Sequence, residues 1–72
     1  MTCHVFLVSQ SDITLAYLEA GDKNSASARA KGLGTLLDFS PSLPISVERV
    51  TERVSGIPFF RNEYFEMMGF TS

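Results

Sequence analysis

The sequence is poor in the residues from which reactive sites are built: it holds one cysteine, Cys3, one histidine, His4, and no tryptophan. A lone cysteine cannot close an internal disulfide, so the staples of small secreted domains are absent and a reducing cytoplasm is the expected setting. A structural zinc site needs about four ligands, more than one thiol and one imidazole supply, so no metal is expected. Neighbours on a strand point to opposite faces, which keeps Cys3 and His4 from meeting at one reacting atom. Charge is also sparse, at 19% of residues with a net of −2, and gives no global electrostatic reason to bind nucleic acid. The longest apolar run, 5–8, is far too short for a membrane span, and no charged start leads into an apolar stretch and a small-residue cleavage site. Neither export nor membrane insertion is expected.

Glycine-rich phosphate loops are missing as well. The stretch Gly21-Asp22-Lys23-Asn24-Ser25 lacks the second glycine and the frame that would wrap a phosphate, and reads as a helix cap. Gly32-Leu33-Gly34 is a fragment of a dinucleotide fingerprint placed inside or after a helix instead of between strand and helix. The carboxylate pairs Glu48 with Glu52 and Glu63 with Glu66 are interleaved with Arg49, Arg53 and Arg61, the pattern of a solvated face. These absences leave no catalytic constellation and no cofactor site, so the chain is expected not to be an enzyme.

What the sequence does hold is apolar surface, 44% of 72 residues, enough for one small core. A domain of this length buries only about 60% of what its unfolded chain exposes, so a deep cavity would remove packing it needs. Residues 3–9 are rich in β-branched and aromatic types and end at Ser9-Gln10-Ser11-Asp12; residues 13–20 form a second such run closed by Gly21-Asp22. Two strands joined so tightly predict an antiparallel hairpin. Asp22, Asn24 and Ser25 can cap a helix over 25–38, whose apolar stripe is Ala26, Ala30, Leu33 and Leu37, with Gly32 and Gly34 weakening its later half. Prolines 41 and 44 mark a loop. Residues 45–54 combine strand-like content with a period-four repeat of Val-Glu-Arg-Val and Thr-Glu-Arg-Val; a third strand is favoured because a lone hairpin with one helix is marginal in water.

The expected fold is therefore α+β, a ββαβ arrangement over 1–57, followed by an aromatic-rich segment, 58–72. That segment is either a second helix, with Phe60, Tyr64 and Met67 on one face, or a tail ordered by a partner. Both faces of the hairpin are apolar: Phe6 and Val8 fall with Ile13, Leu15 and Tyr17 on one alternation, and Val5 and Leu7 with Ala16 and Leu18 on the other. One helix covers one face, so the second must meet the tail, another copy or a foreign protein. The candidate partner-binding residues are the aromatic anchors Phe6, Tyr17, Phe59 and Phe60, with Arg29, Lys31 and Arg49 as electropositive rim contacts.

In size, in layout and in its opening Met1-Thr2-Cys3-His4-Val5-Phe6-Leu7-Val8, the chain resembles the small RNA-polymerase-binding transcription regulators of Xanthomonas phages. That resemblance implies a phage protein working in the host cytoplasm. It would bind host RNA polymerase, inhibit initiation by interfering with the sigma factor, and help the enzyme read through terminators. No motif permits residue-by-residue transfer. Two other readings stay open: an inhibitor of a bacterial defence complex of the anti-CRISPR type, and a nucleic-acid-binding module whose helices, 47–54 and the tail, flank the 55–58 turn.

Overall fold

A computed structural model describes residues 2–34 and 42–69. The elements run β1 (His4–Gln10), β2 (Ile13–Ala20), α1 (Lys23–Gly32), β3 (Ser46–Val50), β4 (Phe59–Phe60) and α2 (Asn62–Met67). The strands form one mixed sheet in the order β3-β1-β2-β4, an α+β architecture. The 45–54 segment is a strand only over its first half, and β3 pairs antiparallel with β1. With a strand there, the helix-turn-helix arrangement around 55–58 does not form.

The hairpin turn has two residues, Ser11 and Asp12, both with positive φ (50° and 63°), the twist that lets two strands continue as a right-handed ribbon. From Gln10 opposite Ile13 and Ser9 opposite Thr14, an unbroken register would bring Val8 against Leu15 and Phe6 against Tyr17. Instead the register shifts between Val8 and Ser9, so that Val8 opposes Ala16, Phe6 opposes Leu18 and Val5 opposes Glu19. Leu15 is the extra residue of this bulge. Because side chains alternate with a period of two, one extra residue exchanges the faces of everything beyond it. The expected grouping of Phe6 and Val8 with Ile13, Leu15 and Tyr17 is thereby overturned: their face is completed by Ala16, Leu18 and Ala20, while Tyr17 joins Val5 and Leu7.

Helix α1 begins where the polar cluster predicts. Asp22, with extended backbone, is the N-cap, and its carboxylate accepts the Ser25 amide at 2.8 Å. Ala26 and Ala30 have no exposed surface, which lets the helix axis come close to the sheet. The helix ends at Gly32, earlier than 38, and the Leu33 amide is shared between the Arg29 and Ala30 carbonyls at 3.1 Å each, a tightened final turn. Residues 35–38 of the expected helix, Leu37 among them, lie outside the described residues.

The core comprises Phe6, Val8, Leu18, Ala20, Ala26, Ala30, Leu33, Val47 and Phe65, with Ile45, Phe60 and Tyr64 packed against it. Fully burying side chains such as Leu18, Leu33 and Phe65 is worth roughly 1.5–3 kcal/mol each. The aromatic segment thus shares one core with the hairpin. Its first step is a strand, missed from sequence because two residues are too few to show a period: the Tyr17 amide donates to the Pro58 carbonyl at 2.8 Å, and Phe59 and Phe60 lie parallel to Tyr17 and Leu18. The helical face proposed for Phe60, Tyr64 and Met67 does not exist, since Phe60 is on β4 and Met67 is 87% exposed. Phe65 is the residue that enters the core.

Candidate protein-interaction surface

The two faces of the sheet are finished differently. Helix α1, Phe60 and Phe65 close the face that carries Phe6, Val8, Ala16 and Leu18. On the opposite face the register sets Val50 beside Val5, Glu48 beside Leu7 and Ser46 beside Ser9, with Glu19, Tyr17 and Thr14 continuing those rows onto β2. This second face grades from apolar at the Val5 end to hydroxyl-lined at the Ser9 end. Val5, Leu7 and Val50 are half-buried, and Glu48 is exposed beside them.

One segment crosses part of that face. The chain leaving β3 turns back across it, and the Val54 amide donates to the Tyr17 hydroxyl at 3.0 Å, which buries the Tyr17 ring. Arg53 stacks over the Phe59 ring, its guanidinium carbon 4.0 Å from the centroid. Between this segment and Val5 lies an open concavity lined by residues 51–57. Val54 on its rim is 66% exposed. Of the aromatic segment, Phe60 and Phe65 turn to the core side and Phe59 to the second face, where Val5, Leu7 and Val50 stay half-buried.

The residues expected to contact a partner divide into two groups. Phe6 (3% exposed) and Tyr17 (4%) are packing residues, so neither can act as a protruding anchor in this conformation. Arg29 is equally interior. One of its Nη1 hydrogens goes to the Glu19 carbonyl at 2.7 Å and another contact runs to Asn62 Oδ1 at 2.9 Å, while its guanidinium lies 4.8 Å from the Phe65 ring centroid. Its stem belongs to α1 and its charge is turned inward, because β2 and α2 both present acceptors there. Phe60 is half-buried against Tyr64 and Phe65, with ring centroids 5.2 and 6.5 Å away. Lys31 and Arg49 are exposed at separate places, on the last turn of α1 and on β3, and Phe59 is half-buried on the second face. The structure does not bring the seven together into one site.

Sequence reasoning missed the junction that fixes α2. Arg61 precedes that helix and offers no side-chain cap; the Asn62 amide instead donates to Glu19 Oε1 at 2.7 Å, a cap supplied from β2. Asn62 Nδ2 in turn donates to Glu66 at 3.0 Å. Glu19, Arg29 and the Asn62–Phe65 turn of α2 come from three separate elements, and no spacing rule connects those elements. Gln10 was missed for the same reason: buried at the end of β1, it donates to the Leu43 carbonyl at 3.0 Å.

The Asp22 carboxyl is held below its usual range, chiefly by the Ser25 amide. It is a structural cap, and the shift marks no catalytic acid. Among the described residues no group of three or more His, Cys, Asp or Glu side chains could hold a metal ion. No helix among them is long and apolar enough to cross a membrane. No known family model, curated protein or solved structure matches the chain.

Proposed function

We propose that the chain is a non-enzymatic, phage-encoded regulator that works by protein docking, with host RNA polymerase as its partner. The observation that carries docking is the unfinished second face: Val5, Leu7 and Val50 stay half-exposed beside Glu48 while the opposite face is closed by a helix and three aromatic rings. Small domains keep such apolar area where a partner completes the burial, since isolated they gain nothing from leaving it in water. The exposed Arg49 and Lys31 serve as outlying charges that speed encounter without setting affinity. The choice of polymerase rests on the resemblance in size and opening sequence, and a domain this small acts by occluding or displacing a competing subunit.

Isotope-labelled protein titrated with purified bacterial RNA polymerase tests both parts. Loss of the Val5, Leu7 and Val50 signals, abolished by Leu7→Glu in a protein whose spectrum is otherwise native, supports the reading. An unchanged spectrum at low salt with both core enzyme and holoenzyme removes polymerase as the partner. Binding that Leu7→Glu leaves intact removes the second face.

A further inference from the structure

Strand β3 is the outer strand of the sheet: it pairs with β1, and among the described residues no backbone group bonds its other side. An open edge is a row of amides and carbonyls with which an extended chain can pair. The side chains of Ser46–Val50 decide which chain that is. Glu48 opposes Leu7 and lies on the second face; Arg49 opposes Phe6 and lies on the core side. Both are exposed, and neither takes part in an ion pair among the described residues.

A second folded copy does not fit this edge. When two such edges meet antiparallel about a two-fold axis, strand direction, the side held by each copy's own β1 and the upward face form a set of fixed hand. Both copies must then keep the same face up. Opposed residues of an antiparallel pair point to the same side, so only like-facing positions can meet. In the registers centred on β3, Glu48 therefore meets the second copy's Glu48, or Arg49 meets the second copy's Arg49. Like charges directly opposite each other destabilise the pairing, and off-centre registers give up most of the ladder.

A free extended segment escapes that constraint because it can present either face. We propose that the β3 edge accepts an extended segment of a partner protein by antiparallel strand addition, in the order apolar, acidic, basic, apolar along the partner. Its basic residue then lies opposite Glu48, its acidic residue opposite Arg49, and its apolar residues opposite Val50 and Val47. Edge and face share Val50 and Glu48, but strand addition is read at the backbone amides of β3 and polymerase docking at Leu7, so the failure of one is distinguishable from the failure of the other.

The test titrates the intact labelled protein, at millimolar ligand, with a blocked peptide whose centre is Val-Glu-Arg-Val and with its charge-reversed counterpart, Val-Arg-Glu-Val. Shifts and slowed exchange confined to the amides of β3 are expected, with the first peptide bound about tenfold tighter, since two cross-strand charge pairs change sign. The double variant Glu48→Arg, Arg49→Glu alters only exposed side chains and should reverse the preference. Absence of β3 shifts with either peptide overturns the proposal, as does the same preference in both proteins. A concentration-dependent dimer with its contacts at β3 would overturn it as well.

Discussion

The two faces of this sheet are built from the same strands, yet one is a core and the other a partly covered surface. The difference originates in a single inserted residue. The bulge at Leu15 brings Leu18 opposite Phe6 and sends Tyr17 to the other side. Leu18 then meets α1 and Phe65, whereas Tyr17 lies beside Phe59 and under the chain leaving β3, whose Val54 amide it accepts. Both sides of the hairpin carry apolar side chains, although the second face also holds Ser9, Thr14 and Glu19, so the presence of apolar residues alone does not decide which becomes core. What decides it is where the covering elements can reach: α1 follows β2 after a short turn, and α2 is drawn to the same side by Glu19 and Arg29.

The largest effect expected from that asymmetry is at Phe65. This ring has no exposed surface and is the only buried residue of a six-residue helix, so α2 docks through it. Phe65→Ala should cost about 3–5 kcal/mol. A 72-residue domain has roughly 4–11 kcal/mol in total. Urea titration should therefore show a protein near the edge of unfolding. A loss below about 1 kcal/mol would mean that the core face does not depend on α2.

A paired comparison sharpens the contrast between faces directly. Leu18→Ala, on the core face, should destabilise by about 2–5 kcal/mol, because it leaves a cavity among side chains that cannot collapse fully. Leu7→Ala, one face away and half-buried, should lose about 1 kcal/mol by the smaller area removed from water. Equal losses would show that the second face is packed as tightly as the first, leaving nothing to dock.

Smaller than the loss at Leu18 is the effect of Arg29→Met, which keeps the stem and removes the charge. The Glu19 carbonyl and Asn62 Oδ1 lose a donor in a half-buried setting, at a cost of about 1–3 kcal/mol. Crystallography or Asn62 amide exchange should show the first turn of α2 loosening while the hairpin is unchanged. A stabilised variant would indicate that desolvating the guanidinium outweighs its contacts, an outcome known for buried ion sites.

How far the fold was legible follows from the same particulars. The hairpin, the Asp22 cap and the alanine stripe of α1 are local features, and each stood in the sequence as turn residues, a cap residue and a helical period. Strand β3 was legible only by comparing two competing periods over 45–54, and the four-residue repeat misled because its second half, 51–54, is loop. The faces of the hairpin were misassigned because a bulge has no residue signature when no glycine marks it. The exposure of the expected partner-contact residues was not legible. Aromatic and basic side chains were chosen for their chemistry, but exposure is a tertiary property: Phe6 and Arg29 are interior because elements distant in sequence supply partners for them.

The helix that closes the core face offers the subtlest test, through pH. Accepting the Ser25 amide favours the charged form of Asp22, so its carboxyl titrates lower in the folded protein than in the unfolded chain. A depressed folded value means that the cap's stabilisation is complete above the unfolded carboxyl's value and is lost as pH falls through the folded one. Asp22→Asn retains an acceptor oxygen without the charge, so its α1 should lack this acid dependence. The advantage of wild type over the variant, read from Ser25 and Ala26 amide exchange, should shrink toward zero in strong acid. Because the group is fully solvated, the change belongs to α1 alone: exchange in β3 and on the second face should follow the same pH curve in both proteins. If the second face loosened together with α1, the sheet's two sides would be one cooperative unit, and the open face would be held in shape by the closed one.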